Sequence, residues 1–205
     1  MVRPKSESEK IGAEQHSRYR TGVGQLLYLI KHSRPDICNG VRQLTKVLDG
    51  PTEAAYREML RVIKHVLDTR LKGLKVSPVL EALIWKLVLF SDSDWAGDKD
   101  DRKSVTGYML FLNGVLISWK SVSQKPVALS SSEAEFYACS DAVKEIPFIV
   151  QVLDFLGVDV EQPVRVRIDN VGAIFMAKNT ATRTRHMDTR YYFVKDLQKE
   201  KKISV

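Results

Sequence analysis

Three acidic residues stand where apolar segments end or turn inward: Asp92 in FSDSDWAGD (90–98), Glu135 in SSSEAEFYA (130–138) and Asp169 in VRVRIDN (164–170). The run Ile84–Phe90 reads as a buried strand, yet it closes on Ser91-Asp92-Ser93-Asp94. An ionised carboxylate taken out of water costs several kcal/mol unless something pairs with it. Carboxylates brought close repel one another and need a cation. Several oxygen ligands, with no Cys or His at metal-binding spacing, suit Mg²⁺ or Mn²⁺ rather than Zn²⁺. Each aspartate taken alone also reads as a turn former or helix cap, so the metal reading depends on convergence.

Convergence depends on the elements that carry these residues. Strand one, about 84–91, is followed by VTGYMLFL (105–112) and VLISW (115–119), separated by Asn113-Gly114, a strong hairpin signal. A long helix, about 132–156, follows a serine run, with Pro147 kinking or dividing it. VRVRI (164–168) alternates as a strand does, and helices at about 171–178 and 188–200 precede Ile203-Ser204-Val205, the start of a last strand. The order β-β-β-α-β-α-α-β predicts a mixed sheet, an antiparallel meander and then a crossover to a parallel strand. If that crossover sets the 164–168 strand beside strand one, Asp92 and Asp169 close neighbouring carboxyl ends at a topological switch point, where ligands of open sheets collect. On the long helix, Glu135 shares the inward face of Cys139, Ala142 and Ile146. Glu133 falls with Tyr137, Ser140 and Lys144 on a mostly wettable face and suits a capping box with Ser130. Glu135 is therefore the expected third carboxylate of the crevice.

The rest of the chain bounds this reading. Its 205 residues suffice for one good-sized domain with an appendage, and 44% hydrophobic residues permit a packed core. Lys and Arg number 32 against 25 Asp and Glu, a +7 balance that favours polyanionic partners. Cys38 and Cys139 have no CxxC partner and fall in expected helices, as reduced core residues of an intracellular protein do. The N-terminus lacks the apolar stretch of a signal peptide and no run approaches membrane-spanning length, so an intracellular chain, neither secreted nor membrane-bound, is expected. Residues 1–19 are polar and without periodicity, a disordered or truncated lead-in. Residues 20–70 read as a helical unit. Its helices run over Gly22–Lys31, then from Ser33 and Pro35 with Ile37, Val41, Leu44 and Leu48 inward. After Gly50-Pro51 a third, capped by Thr52, buries Met59, Val62, Ile63, Val66 and Leu67. Residues 71–83 form a connection, and 84–205 make up the second domain.

Longer stretches carry a family likeness. YRTGVGQLLYL (19–29), SRPDI (33–37) and TEAAYREMLRVIKHVLDT (52–69) resemble the segment after the polymerase active site in the Pol polyproteins of copia-type LTR retrotransposons. FSDSDWAGDKDDRKSVTGY (90–108), SWKSVSQKPVALSSSEAEFYA (118–138), IDNVGAI (168–174) and TRHMDTRYYF (184–193) resemble their ribonuclease H domain, so the likeness spans about residues 18 to 205. It implies an α/β ribonuclease H-like fold, a mixed five-stranded sheet with flanking helices, preceded by a thumb- or connection-like helical tail of the reverse transcriptase. It implies catalytic, metal-holding carboxylates at Asp92, Glu135 and Asp169, with two divalent ions roughly 4 Å apart clamping an in-line attack on a phosphodiester. Asp92 would contact both ions, and Glu135 and Asp169 one each. The implied substrate is the RNA strand of an RNA–DNA hybrid, recognised through 2′-hydroxyls in the shallow minor groove. The implied partner is the remainder of the polyprotein or a full-length reverse transcriptase, in the cytoplasm (virus-like particles in the family) or the nucleus.

The sequence departs from the family pattern in places. The family's fourth acid lies on a terminal helix past the residues matching KKISV, so a C-terminally truncated domain with an exposed edge is expected. Asp188 is an auxiliary candidate, read mainly as a helix-start cap. Tyr192 stands where the family usually has His, and the paired-aspartate polymerase signature is absent, so DNA synthesis is not expected. The alternative to a nuclease is a catalytically inactive nucleic-acid-binding or structural remnant.

Further residues carry weaker readings. Arg183, Arg185 and His186, with Arg190, form a basic patch for phosphates or a solvated loop. Ser130, Ser131 and Ser132 offer hydroxyl and N–H groups to a phosphate or simply cap their helix, and Asn170 joins them as a nucleic-acid contact. Trp95 and Trp119 are expected in the core rather than stacked on nucleic acid. Asp94 is expected to support the site from behind or to sit in solvent. Arg57, Arg61 and Lys64 fall on an outer helix face, where the resemblance gives them a part in gripping duplex. His16, His32 and His65 receive no role.

Overall fold

The computed structural model describes residues 10–77, 84–98, 101–179 and 188–205, with the side chains of 188, 189 and 191 outside that set. The chain divides into two units, Met1–Lys75 and Val76–Val205.

The first unit holds α1 (Ala13–His32), a 3₁₀ turn (Pro35–Ile37), α2 (Cys38–Thr45) and α3 (Glu53–Asp68). Thr52 caps α3, its side chain accepting from the Ala55 amide at 3.2 Å. Tyr19, Val23, Leu26, Val41, Leu44 and Met59 form the core. α1 begins at Ala13, inside the stretch read as lead-in. Two residues hold the extra turns: Tyr19 is fully buried and its hydroxyl donates to the Leu44 carbonyl at 2.9 Å, and His16 Nε2 is hydrogen-bonded to the Leu48 carbonyl at 2.7 Å. These anchors replace the apolar period that the sequence lacks there. Asp36 accepts a two-pronged bond from the buried Arg34 at 2.9 and 2.8 Å, and the same guanidinium donates to Thr69 Oγ1 at 2.7 Å. That pairing holds the Asp36 carboxyl down at about 2. On α3, Arg57, Arg61 and Lys64 are each paired within the helix, with Glu53, Glu58 and Asp68.

The second unit holds β1 (Leu87–Asp94), β2 (Val105–Leu112), β3 (Val115–Ser123), α4 (Ser131–Ala142), α5 (Glu145–Phe155), β4 (Val164–Arg167), α6 (Val171–Lys178), α7 (Asp188–Lys199) and β5 (Ile203–Ser204). The sheet order is β3-β2-β1-β4-β5. The first three strands form an antiparallel meander, while β4 lies parallel to β1 and β5 parallel to β4. The β2–β3 turn needs two left-handed residues, and Asn113 (φ 46°) and Gly114 (φ 82°) supply them. This is the mixed five-stranded sheet with flanking helices that the resemblance implies. The long helix is divided: α4 ends before Val143-Lys144, and Pro147 falls in the first turn of α5, where its missing N–H is tolerated.

α4 packs on β1 and β2 with one face and meets α6 and α7 with the other. Every residue from Glu133 to Ser140 is consequently buried. The wettable face expected for Glu133, Tyr137 and Ser140 does not exist, because α6 and α7 cover it. Leu89, Leu110, Phe136, Ile146, Val164 and Val194 fill the core, and both cysteines are buried thiols. Among the described residues no helix is long and apolar enough to cross a membrane.

Candidate metal centre

β1 persists to Asp94, farther than its apolar run foretells, and its parallel ladder with β4 covers only Val88–Phe90 against Arg165–Arg167. Asp92 and Asp169 thus follow the ladder on adjacent strands, at the point where the strand order reverses. α4 crosses there and contributes Glu135. One carboxylate oxygen from each of Asp92, Glu135 and Asp169 lies within 4.8 Å of the others.

Burial is distributed differently from the sequence expectation. Asp92 and Asp169 are exposed, whereas Glu135 is only 6% exposed. Its Oε1 accepts from the Ser93 amide at 2.9 Å and from the Ser93 hydroxyl at 2.8 Å. Its Oε2 is buried and has no hydrogen-bond partner among the described residues. Burial raises the Glu135 carboxyl above the ordinary range; the Ser93 bonds oppose the rise, and Asp92 and Asp169 add to it. An orphaned carboxylate oxygen next to two further carboxylates is a poor arrangement without a cation and a good one with it. Donors that are all oxygen fit Mg²⁺ or Mn²⁺. Ser93 is the residue that sequence reasoning passed over. Its signal was the alternation Leu87, Leu89, Ser91, Ser93, which sets a hydroxyl on the inward face beside Asp92.

Two helix N-termini meet beside the trio. Ser130 caps α4 by accepting from the Glu133 amide at 3.1 Å. Glu133 accepts in return from the Leu129 amide at 2.7 Å and from the Tyr137 hydroxyl at 2.8 Å, a structural role. Asn170 caps α6, its Oδ1 accepting from the Ala173 amide at 2.9 Å and from the Ser132 hydroxyl at 3.0 Å. A Cβ at position 172 would run into Ser132, so Gly172 is what lets the first turn of α6 close on α4. Ser131 is exposed at the first position of α4.

The neighbouring expectations fare unevenly. Asp94 shares the exposed face of Asp92 in β1, but its carboxylate folds over Gly97, where a Cβ would collide with it. Trp95 is not a core residue: it is 48% exposed, with its indole N–H donating to the Ala128 carbonyl at 3.2 Å. Trp119 is half-buried on β3. Arg190 leaves the expected basic patch; it lies over the Tyr137 ring at 4.9 Å and pairs with Asp141 at 3.3 Å, docking α7 on α4. Arg183, Arg185 and His186 lie outside the described residues. Asp188 opens α7, and its side chain lies outside them too.

No family model matches the sequence. The chain is 34% identical over 182 residues to the retrovirus-related Pol polyprotein from transposon RE1 of Arabidopsis thaliana, covering 88% of this chain and 12% of that protein. It is 32% identical over 192 residues to that from transposon TNT 1-94 of Nicotiana tabacum, covering 91% of this chain and 14% of that protein. It is also 39% identical over 127 residues to the secreted RxLR effector protein 161 of Plasmopara viticola, covering 62% of this chain and 87% of that protein. Among solved structures it is similar to LC11-RNase H1 in complex with an RNA/DNA hybrid, with TM-score 0.42 and 14% identity over 57% of this chain and 79% of that one. The chain therefore spans about an eighth of the length of the Pol polyproteins it matches, and it belongs to the copia-type retrotransposon Pol family.

Proposed function

We propose that the chain is the ribonuclease H module of a retrotransposon Pol polyprotein, cutting the RNA strand of RNA–DNA hybrids with Asp92, Glu135 and Asp169 as its metal-holding catalytic residues. The observation that carries this reading is the convergence of the three carboxylates, one of which, the buried Glu135, has an oxygen without a hydrogen-bond partner among the described residues. Mg²⁺ or Mn²⁺, as two ions when bound, supplies charge stabilisation for the in-line displacement at phosphorus. The protein's own part is placement. β1 and β4 set Asp92 and Asp169 at adjoining strand ends, and Ser93 fixes the Glu135 carboxylate between them. Ser131, Ser132 and Asn170 sit at helix N-termini, where partial positive charge favours a phosphate of the bound strand. Arg183, Arg185 and His186 add phosphate contacts. The helical unit is the reverse-transcriptase tail, and the remainder of the polyprotein or a full-length reverse transcriptase is the partner, in cytoplasm or nucleus.

A second reading is hybrid binding without cleavage, the alternative that the sequence also offers. One assay decides between them. Labelled RNA–DNA hybrid is incubated with the purified chain in Mg²⁺, in Mn²⁺ and in chelator, with Asp92→Asn alongside. Metal-dependent nicking that disappears in the variant supports the nuclease. Binding without nicking by folded wild type supports the second reading, and Asp92→Asn then binds as wild type does.

A further inference from the structure

We propose that Trp95 is a substrate-positioning residue whose exposed indole face packs against the sugars of the nucleic-acid strand held at the carboxylate trio. This rests on the nuclease reading and concerns how that site seats its strand.

Trp95 is the first residue past β1, three positions beyond Asp92, so the two Cα atoms lie roughly 10 Å apart. Its one polar atom is already satisfied by the Ala128 carbonyl at 3.2 Å, and that bond fixes the ring. Almost half of the side chain nevertheless remains in water. Val127 and Leu129, on either side of the acceptor residue, are 52% and 79% exposed, so apolar surface flanks the carbonyl that Trp95 reaches. The same two segments build the metal site. Ser93, two residues before Trp95, holds Glu135, and the Leu129 amide is held by Glu133 on the first turn of the helix that carries Glu135. An apolar ledge thus adjoins an anionic cluster that takes phosphate only through metal. The wide, shallow minor groove of an A-like duplex presents sugars, which a flat indole covers without reading sequence. Trp suits such a contact because it offers large area with few rotatable bonds.

The test measures binding of a fluorescein-labelled RNA–DNA hybrid by anisotropy in chelator, so that neither cleavage nor metal enters. Wild type, Trp95→Phe and Trp95→Ala are compared. Trp95→Ala is expected to raise Kd roughly tenfold, as loss of an aromatic contact to nucleic acid does, and Trp95→Phe much less. In the cleavage assay Trp95→Ala should raise KM and leave kcat nearly unchanged. Equal Kd for wild type and Trp95→Ala overturns the proposal. So does a loss in Trp95→Phe as large as in Trp95→Ala, because Phe keeps a ring but not the bond to Ala128. Wild type that does not bind hybrid in chelator overturns it as well. The nuclease reading fails separately: a Trp95-dependent Kd without metal-dependent nicking refutes that reading and leaves the ledge standing.

Discussion

Glu135→Gln separates the electrostatic strain of the site from its chemistry. Without metal, Glu135 is a buried carboxylate whose ligand oxygen lies within 4.8 Å of those of Asp92 and Asp169. Two like unit charges at that distance repel by about 3.5 kcal/mol at an effective dielectric of 20 and about 0.9 kcal/mol at 80. Asp92 and Asp169 are exposed, so the lower figure weighs more, and the two pairs together come to roughly 2–4 kcal/mol. Replacing the charge also weakens the two bonds from Ser93, by about 1 kcal/mol. The metal-free variant should therefore be more stable than wild type by about 2 kcal/mol, or roughly 4–8 °C in Tm. In wild type the Glu135 carboxyl titrates above the ordinary range, so its destabilising charge is absent below the unfolded value near 4.5 and complete only above the raised folded value. The variant's advantage should accordingly be small at acid pH and grow as pH rises. Thermal unfolding in chelator at several pH values reads this directly. Added Mg²⁺ at a hundred times its Kd should stabilise wild type by about 2.7 kcal/mol and the variant far less. A variant that melts below wild type in chelator at pH 8 would refute the reasoning, because the Ser93 bonds would then outweigh the repulsion.

Gly172→Ala should destabilise the chain by about 1–3 kcal/mol, since the new Cβ meets Ser132 where α6 closes on α4. Combined with Ser132→Ala it should cost less than the sum of the two single changes in a denaturant-melt cycle. Asp36→Asn should lower stability at neutral pH by about 1–3 kcal/mol, nearer the low end because Asp36 is half exposed although its Arg34 partner is buried. The Asp36 carboxyl is lowered from 3.8 to about 2, so its contribution is complete above the unfolded value and lost as pH falls through about 2. The gap between variant and wild type in an acid-unfolding titration should close over that window.

The trio was legible because two strand runs and one helical spacing agree on it. Strand runs ending at Asp92 and Asp169, with a helix between them, leave few topologies, and helical spacing separates Glu135 from Glu133. What one segment cannot show is which faces its neighbours cover. α4 reads as amphipathic, yet α6 and α7 bury its second face, so Glu133 and Ser140 are inside. The first turns of α1 read as disordered because their anchors, the buried Tyr19 and the His16 bond to the Leu48 carbonyl, make no apolar period. Arg190 counts as a free cation in the sequence, whereas its contacts to Tyr137 and Asp141 depend on where α7 docks. Trp95 reads as core because large aromatics usually are, and only the end of β1 at Asp94 shows why it is not.

Half of the clamp on Glu135 is made by main chain. The ladder between β1 and β4 stops at Phe90, so Ser93 has no partner across from it on β4, and its amide points to the carboxylate instead. A peptide N–H is present whatever side chain the codon specifies, short of proline. Position 93 can therefore drift through many residues and still hold Glu135 by one bond, while positions 92, 135 and 169 have no such reserve. On the proposed reading, variation at 93 with constancy at those three is the pattern expected among copies of this segment that keep the metal site.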